Sequence, residues 1–445
     1  MRKIEEKYSA EVAVIGVHSA KFPNEKENDN LYKAVQRNEL QHPVVNDGDF
    51  HVWRAYACRA WPTMMFIDPE GKVIGKHEGE ISYDSLDKLM NDMVAEFDAQ
   101  GQLKRAPLGI SVESEPDNTL SFPGKVLAEG PGDRLFIADT NHNRILVTSL
   151  EGAFKQVIGS GKAGLDDGSF SSATFNHPQG MALNGNTLYV ADAENHALRK
   201  VDLTAETVDT IAGNGVQGRN RDSRGAGLEM ELNSPWDLVY HDHCLYIAMA
   251  GIHQLWSMTL SDGQIGPYAG SGGESITDGP LAAAMLAQPS GIATDGDKLY
   301  FVDSETSSVR TADLNSNGRV GTIVGQDLFV FGDVDGSEEN VRLQHPIGIA
   351  YQEGVVYIAD TYNHKIKKIL PNTRNSFTVL GSGQAGSQDG PGKQAQFSEP
   401  SGLSFAGGKL FIADTNNHLI RVADLESDQV RTLIISGMSG WAART

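Results

Sequence analysis

Cysteine is nearly absent from these 445 residues: Cys58 and Cys244 are the only two. A pair so far apart builds no disulfide framework and fits a reducing compartment. Long apolar runs are missing too, and none approaches the ~20 residues that a membrane-spanning helix requires. The N-terminal MRKIEEKYSA lacks the apolar stretch of a secretory signal. These absences point to a cytoplasmic chain without a membrane anchor. Basic charge is also scarce, with 37 Lys and Arg against 58 Asp and Glu, a net charge of −21. The deficit is uneven: residues 1–105 hold 18 acids and 14 bases, whereas 106–445 hold 40 and 23. The second part repels phosphate backbones, so nucleic acid is not an expected partner, and the same charge also serves solubility. No GxSxG, HExxH, P-loop or GxGxxG in a strand–helix context is present. No catalytic residue, metal ligand or cofactor is therefore assigned. Glycine, at 48 residues, is abundant, as in a chain full of tight turns.

The first hundred residues read as α/β. EVAVIGVHS (11–19) is a nearly continuous apolar run, which predicts a central parallel strand buried on both faces. NLYKAVQRNEL (30–40) predicts a helix, HPVVND (42–47) a strand, and FHVWRAYAC (50–58) a helix. In RAWPTMMFIDPEGKVIGKHEG (59–79) two apolar strands flank a DPEG turn, which proline and glycine favour. Leu86, Leu89, Met90, Met93, Val94 and Phe97 then mark one face of a helix, with Ser82 as its N-cap and Gly101 at its end.

That order resembles the thioredoxin-like fold from its second strand onward. Trp61-Pro62-Thr63 stands where that family carries its cis-proline, which touches bound substrate. The resemblance implies that the family's first strand and CxxC lie upstream of Met1. Dithiol exchange is then beyond this chain alone. Cys58 packs as a small core residue, or serves as a lone thiol beside the proline loop with Arg54 and Arg59 nearby.

Residues 101–110 read as a linker, and beyond them the chain repeats. FPGKV (122–126), HPQGMAL (177–183), SPWDLVY (234–240), QPSGIAT (288–294), HPIGIAY (345–351) and EPSGLSF (399–405) place prolines 54–57 residues apart. A second strand follows each one, as in LYVADAENHAL (188–198) and LFIADTNNHLI (410–420). A third and a fourth strand end in glycine-rich tails such as VIGSGKAG. Four strands per unit, six times over, predict a six-bladed β-propeller across 111–435, with 436–445 as a tail. The ADTxNHxI pattern resembles NHL repeats. The fusion to a thioredoxin-like unit, with SPWDL and LYIAMAG in the third blade, is similar to the NHL-repeat-containing protein 2 family. That resemblance implies longer relatives, with the CxxC before the equivalent of Met1.

Two recurring side chains invite a metal or catalytic role. Asp139, Asp192, Asp303, Asp360 and Asp414 share one repeat position, and His196, His253, His364 and His418 another. Each Asp ends a second strand, where a carboxylate caps a turn. The histidines stand on turns of different blades and diverge, so hydrogen bonding within turns or between blades is the expected role, not zinc. His177 and His345 lie nearer the axis but are too few for a metal site. The third blade departs from the pattern. Met249 replaces Asp, Asp237 replaces Gly, and Trp236, His253 and Trp256 add aromatic surface beside the basic GRNRDSR (218–224). Function and relaxed packing both explain such divergence. The expected role is a non-catalytic interaction scaffold that binds a protein or peptide on the linker-rich propeller face. Arg219, Trp236, Asp237, Met249 and His253 are the contact residues there, with Trp61, Pro62 and Thr63 on the first unit. The alternatives are a thiol–disulfide oxidoreductase in a longer form and, third, a metal-dependent propeller hydrolase or lyase.

Overall fold

A computed structural model describes residues 1–106, 109 and 118–438. The chain divides into two compact units, Met1–Pro116 and Asp117–Thr445. Residues 107, 108 and 110 of the expected linker, the start of the repeat region at 111–117 and the tail at 439–445 lie outside the described residues.

The first unit runs α1 (Arg2–Lys7), β1 (Gly16–His18), α2 (Asn28–Arg37), β2 (Val44–Asn46), α3 (His51–Ala55), β3 (Thr63–Ile67), β4 (Val73–Glu78) and α4 (Tyr83–Ala99). The apolar stripe of α4 works as its spacing predicts: Leu86 and Met90 are buried against Ile4 and Tyr8, with Met64, Phe66 and Met93 packed around them. Ser82 caps α4, its Oγ accepting from the Ser85 amide. Asp47 holds the start of α3 by accepting from the Val52 and Trp53 amides and the Ser19 hydroxyl. Arg105 folds back onto this unit through Asp98 and Glu11.

The strand expected over 11–19 is corrected. Only Gly16–His18 is extended, parallel to β2. Ile15 and Val17 are 59% and 44% exposed. Strands β1 and β2 form one two-stranded sheet and β3 and β4 another. The run of apolar residues predicts burial on both faces. Val17 and its partner Val45 are 44% and 45% exposed, so one face of the pair is open.

The second unit is six antiparallel blades. Their innermost strands are Val126–Glu129, Pro178–Asn184, Pro235–His241, Pro289–Thr294, Gly348–Gln352 and Pro400–Ala406. Blades two to six each gain a short fifth strand beside the fourth. Blade one instead pairs Ala153 in parallel with Ser436, so the end of the repeat region joins its beginning. The apolar cores lie between blades. Phe136, Ile158, Phe175 and Val190 fill the joint of blades one and two. Leu135, Leu146, Phe411 and Val422 fill the joint of six and one. Six such joints close a ring, which leaves few free sheet edges.

Candidate functional site

Each inner strand starts beside the end of its second strand: Pro178 pairs with Asp192, Pro235 with Met249 and Pro400 with Asp414. The linkers and the second-to-third-strand turns therefore share one face. There a ring of hydrogen bonds joins the blades. The amide of the residue before each inner-strand proline donates to the preceding blade's turn. Ser234, Gln288, Glu399 and Phe122 donate to the Nδ1 atoms of His196, His253, His364 and His418 at 3.0–3.2 Å. His177 and His345 donate to Asn143 Oδ1 and Ser307 Oγ. An accepting Nδ1 places the proton of a neutral ring on Nε2. The repeated histidines are thus inter-blade acceptors, as their divergent placement predicts, and among the described residues no three His, Cys, Asp or Glu side chains are grouped to hold a metal.

The repeated aspartates do more than cap turns. Asp192, Asp303 and Asp414 accept the Asn176, Ala287 and Ser398 amides and also pair with Arg199, Arg310 and Arg421 at 2.8–2.9 Å. Asp360 pairs likewise with Lys367. Each cation stands seven residues on and reaches a second carboxylate, Asp167, Asp278, Asp389 or Asp335, which also accepts from a fourth-strand threonine. Blade one pairs Asp139 with Arg144, five residues on. The sequence analysis assigns these cations no role, although counting seven residues from Asp192, Asp303, Asp360 and Asp414 finds four of them. Burial pushes the Asp192, Asp303 and Asp414 carboxyls up to about 6 against the pull of their partners.

Blade three replaces the whole assembly. Met249 stands for the Asp, Trp256 for the Arg, Arg224 for the outer Asp and Pro267 for the Thr. Met249 and Trp256 are fully buried in the core shared with blade two. The Trp256 indole donates to Gln254, and Arg224 binds Ser257 and the Pro267 carbonyl. Met249 and Trp256 are therefore corrected from surface to core: the apolar pair fills the space of an ion pair and offers nothing to a partner.

The remaining expected contact residues separate. Arg219 and Arg221 are exposed, and the Arg219 loop is tied to the linker-rich face by Gly218, which donates to Leu232 and accepts from Asn233. Trp236 is half-buried, and its buried indole N–H has no hydrogen-bond partner among the described residues. His253 serves the joint to blade four. Asp237 is buried on the axis, where its Oδ2 lies 3.1 Å from Lys125 Nζ. Burial works against both charges, pushing Lys125 down and Asp237 up. Beyond this pair the inner strands enclose a cavity of about 440 Å³, with Met181, Tyr240, Ile292, Tyr351 and Phe405 among its walls. It lies toward the ends of the inner strands, opposite the linkers. In the first unit Trp61 is 49% exposed, its peptide bond to Pro62 is cis, and its indole donates to Ser19. Trp61 packs on Trp53, and the Thr63 hydroxyl donates to Ala60. Cys58 and Cys244 are free and half-buried.

Six blades with this turn chemistry define an NHL-repeat β-propeller protein, and the NHL repeat family matches residues 175–201, 343–369 and 397–423, in blades two, five and six. NHL repeat-containing protein 2 of Homo sapiens is 40% identical over 458 residues, covering 95% of this chain and 63% of that protein. The Gallus gallus protein of the same name is 40% identical, covering 96% and 64%. "Protein SUPPRESSOR OF QUENCHING 1, chloroplastic" of Arabidopsis thaliana is 44% identical, covering 98% and 44%. The chain belongs to the NHL repeat-containing protein 2 family. It spans less than two thirds of the length of these relatives. No described helix is long and apolar enough to cross a membrane.

Proposed function

We propose that this chain is a non-catalytic scaffold whose propeller docks a protein or peptide on the linker-rich face at blade three. The observation that carries this is the exposed pair Arg219 and Arg221, on a loop that Gly218 ties to the linker-rich face. The exposed part of the half-buried Trp236 ring offers that partner an aromatic contact. Arg219 and Arg221 supply positive charge in an otherwise acidic unit, which favours an acidic segment of the partner. The two unbridged cysteines support a reducing, cytoplasmic setting. Replacing Trp236 by Ala and Arg219 by Glu together is expected to release copurifying partners while the thermal midpoint stays near that of the parent. Partners that remain bound in full overturn the proposal.

The order of elements in the first unit, β1-α2-β2-α3-β3-β4-α4 with exposed Trp61 at the entry to β3, supports the second reading, a thioredoxin-like unit. In that reading a longer chain supplies the dithiol and is the oxidoreductase. The 445 residues alone are expected to leave insulin disulfides intact in the presence of a reductant. Turnover above the reductant blank refutes that expectation.

A further inference from the structure

We propose that the propeller axis carries a binding site for a singly charged, ammonium-like cation, and that the chain fills it with its own Lys125. The inner strands share a position two residues after the proline slot, occupied in blade order by Lys125, Gly180, Asp237, Gly291, Gly348 and Gly402. Glycine is needed there because neighbouring inner strands touch backbone to backbone. A Cβ on Gly348 would lie 2.2 Å from the Ser401 carbonyl oxygen, and one on Gly402 2.7 Å from Lys125 Cα. This level is therefore a constriction, and only two of its six positions carry side chains.

Lys125 crosses the constriction from blade one. Its Nζ donates to Asp237 Oδ2 of blade three at 3.1 Å, to the Ser290 carbonyl of blade four at 3.0 Å and to the Ile347 carbonyl of blade five at 2.8 Å. Three acceptors from three blades converge on one nitrogen, and only a protonated amine has three N–H groups to give them. Asp237 is itself fixed, accepting the Leu238 amide on Oδ1 and the Ile292 amide on Oδ2. The oxygens are thus positioned by backbone and persist if the lysine is removed. Their number and spacing select the ion class. Calcium takes six to eight oxygens at about 2.3–2.6 Å, whereas three at 2.8–3.1 Å suit an ammonium. The ring gains a cation that cannot dissociate, since Lys125 is covalently part of blade one.

Lys125→Ala removes the three carbons and nitrogen of propylammonium, which is the probe. In the full chain the variant is expected to lose roughly 5–10 °C of thermal midpoint, because Asp237 is left buried and unpaired. Millimolar propylammonium chloride should recover about half of that loss. Equal concentrations of tetramethylammonium, sodium or calcium chloride should not, and the parent and Lys125→Ala/Asp237→Ala should not respond. If Lys125→Ala does not accumulate folded, the yield on refolding from denaturant is measured with the same salts and should rise with propylammonium alone. Lys125→Met, whose stem fills the space without charge, should be destabilised and not recoverable. The proposal is overturned by an unperturbed Lys125→Ala, by recovery that tetramethylammonium or calcium matches, or by no recovery in either the melting or the refolding experiment.

Discussion

Blades three and four hold the same position in different ways. In blade four, Asp303 and Arg310 are both fully buried and form an ion pair, and the guanidinium continues to Asp278. In blade three, Met249 and Trp256 fill the equivalent space with apolar bulk. A buried ion pair is costly to desolvate, and a well-packed apolar pair of similar volume often replaces it without loss. One partner alone does not. Blade three has changed all its members together, including Arg224 for the outer aspartate, which is the pattern that rule demands. The divergence of that blade is thus partly a packing solution. What remains unexplained by packing is the half-buried Trp236 and the exposed Arg219, and these carry the docking proposal.

The comparison is broken most severely by single changes. Arg310→Met leaves Asp303 buried without its cation and is expected to cost about 3–5 kcal/mol. Trp256→Ala opens a cavity in blade three and is expected to cost a similar ~3–5 kcal/mol. Denaturant melts of both variants measure these losses, and a loss near zero in either denies the role given to that pair. Converting blade four to the blade-three solution, Asp303→Met with Arg310→Trp, should cost within about 1.5 kcal/mol, far less than Arg310→Met alone. If the double variant is as unstable as the single, the two solutions are not interchangeable. His418→Ala removes the acceptor for Phe122 that joins blade six to blade one and should cost about 1 kcal/mol. Deuterium exchange at the Phe122 amide should then quicken before that of the strand cores.

The smallest effect is a pH slope. Asp192, Asp303 and Asp414 titrate at about 6 in the fold against an ordinary 3.8. A carboxyl raised in this way contributes stability fully below pH ~4 and loses it as pH rises through ~6, because the folded state holds more protons over that interval. Blade three carries Met249 in place of a carboxyl at that repeat position. The Asp303→Met/Arg310→Trp variant should therefore lose less stability than the parent between pH 4 and 6, and parallel curves would contradict this.

Much of this architecture was legible in residue spacing. Prolines at 54–57-residue intervals and alternating strands gave six blades, and the Asp and His positions gave turns. Leu86 and Met90 marked the buried face of α4. Other features were misread for identifiable reasons. EVAVIGVHS looked central because apolar composition reports a preference for burial, while burial itself needs a covering layer. Met249 and Trp256 looked like surface because a broken repeat was compared residue by residue, and the compensating change seven positions away was not paired with it.

The repeat determined by itself that the chain would form blades, since each unit leaves apolar faces that only its neighbours can cover. Which side chains meet was decided by closure of the ring. Lys125 and Asp237 are 112 residues apart in sequence, and nothing in either repeat specifies the other. They form a pair because a closed six-bladed ring brings one position from every blade to a common axis, where glycines leave room for just these two side chains.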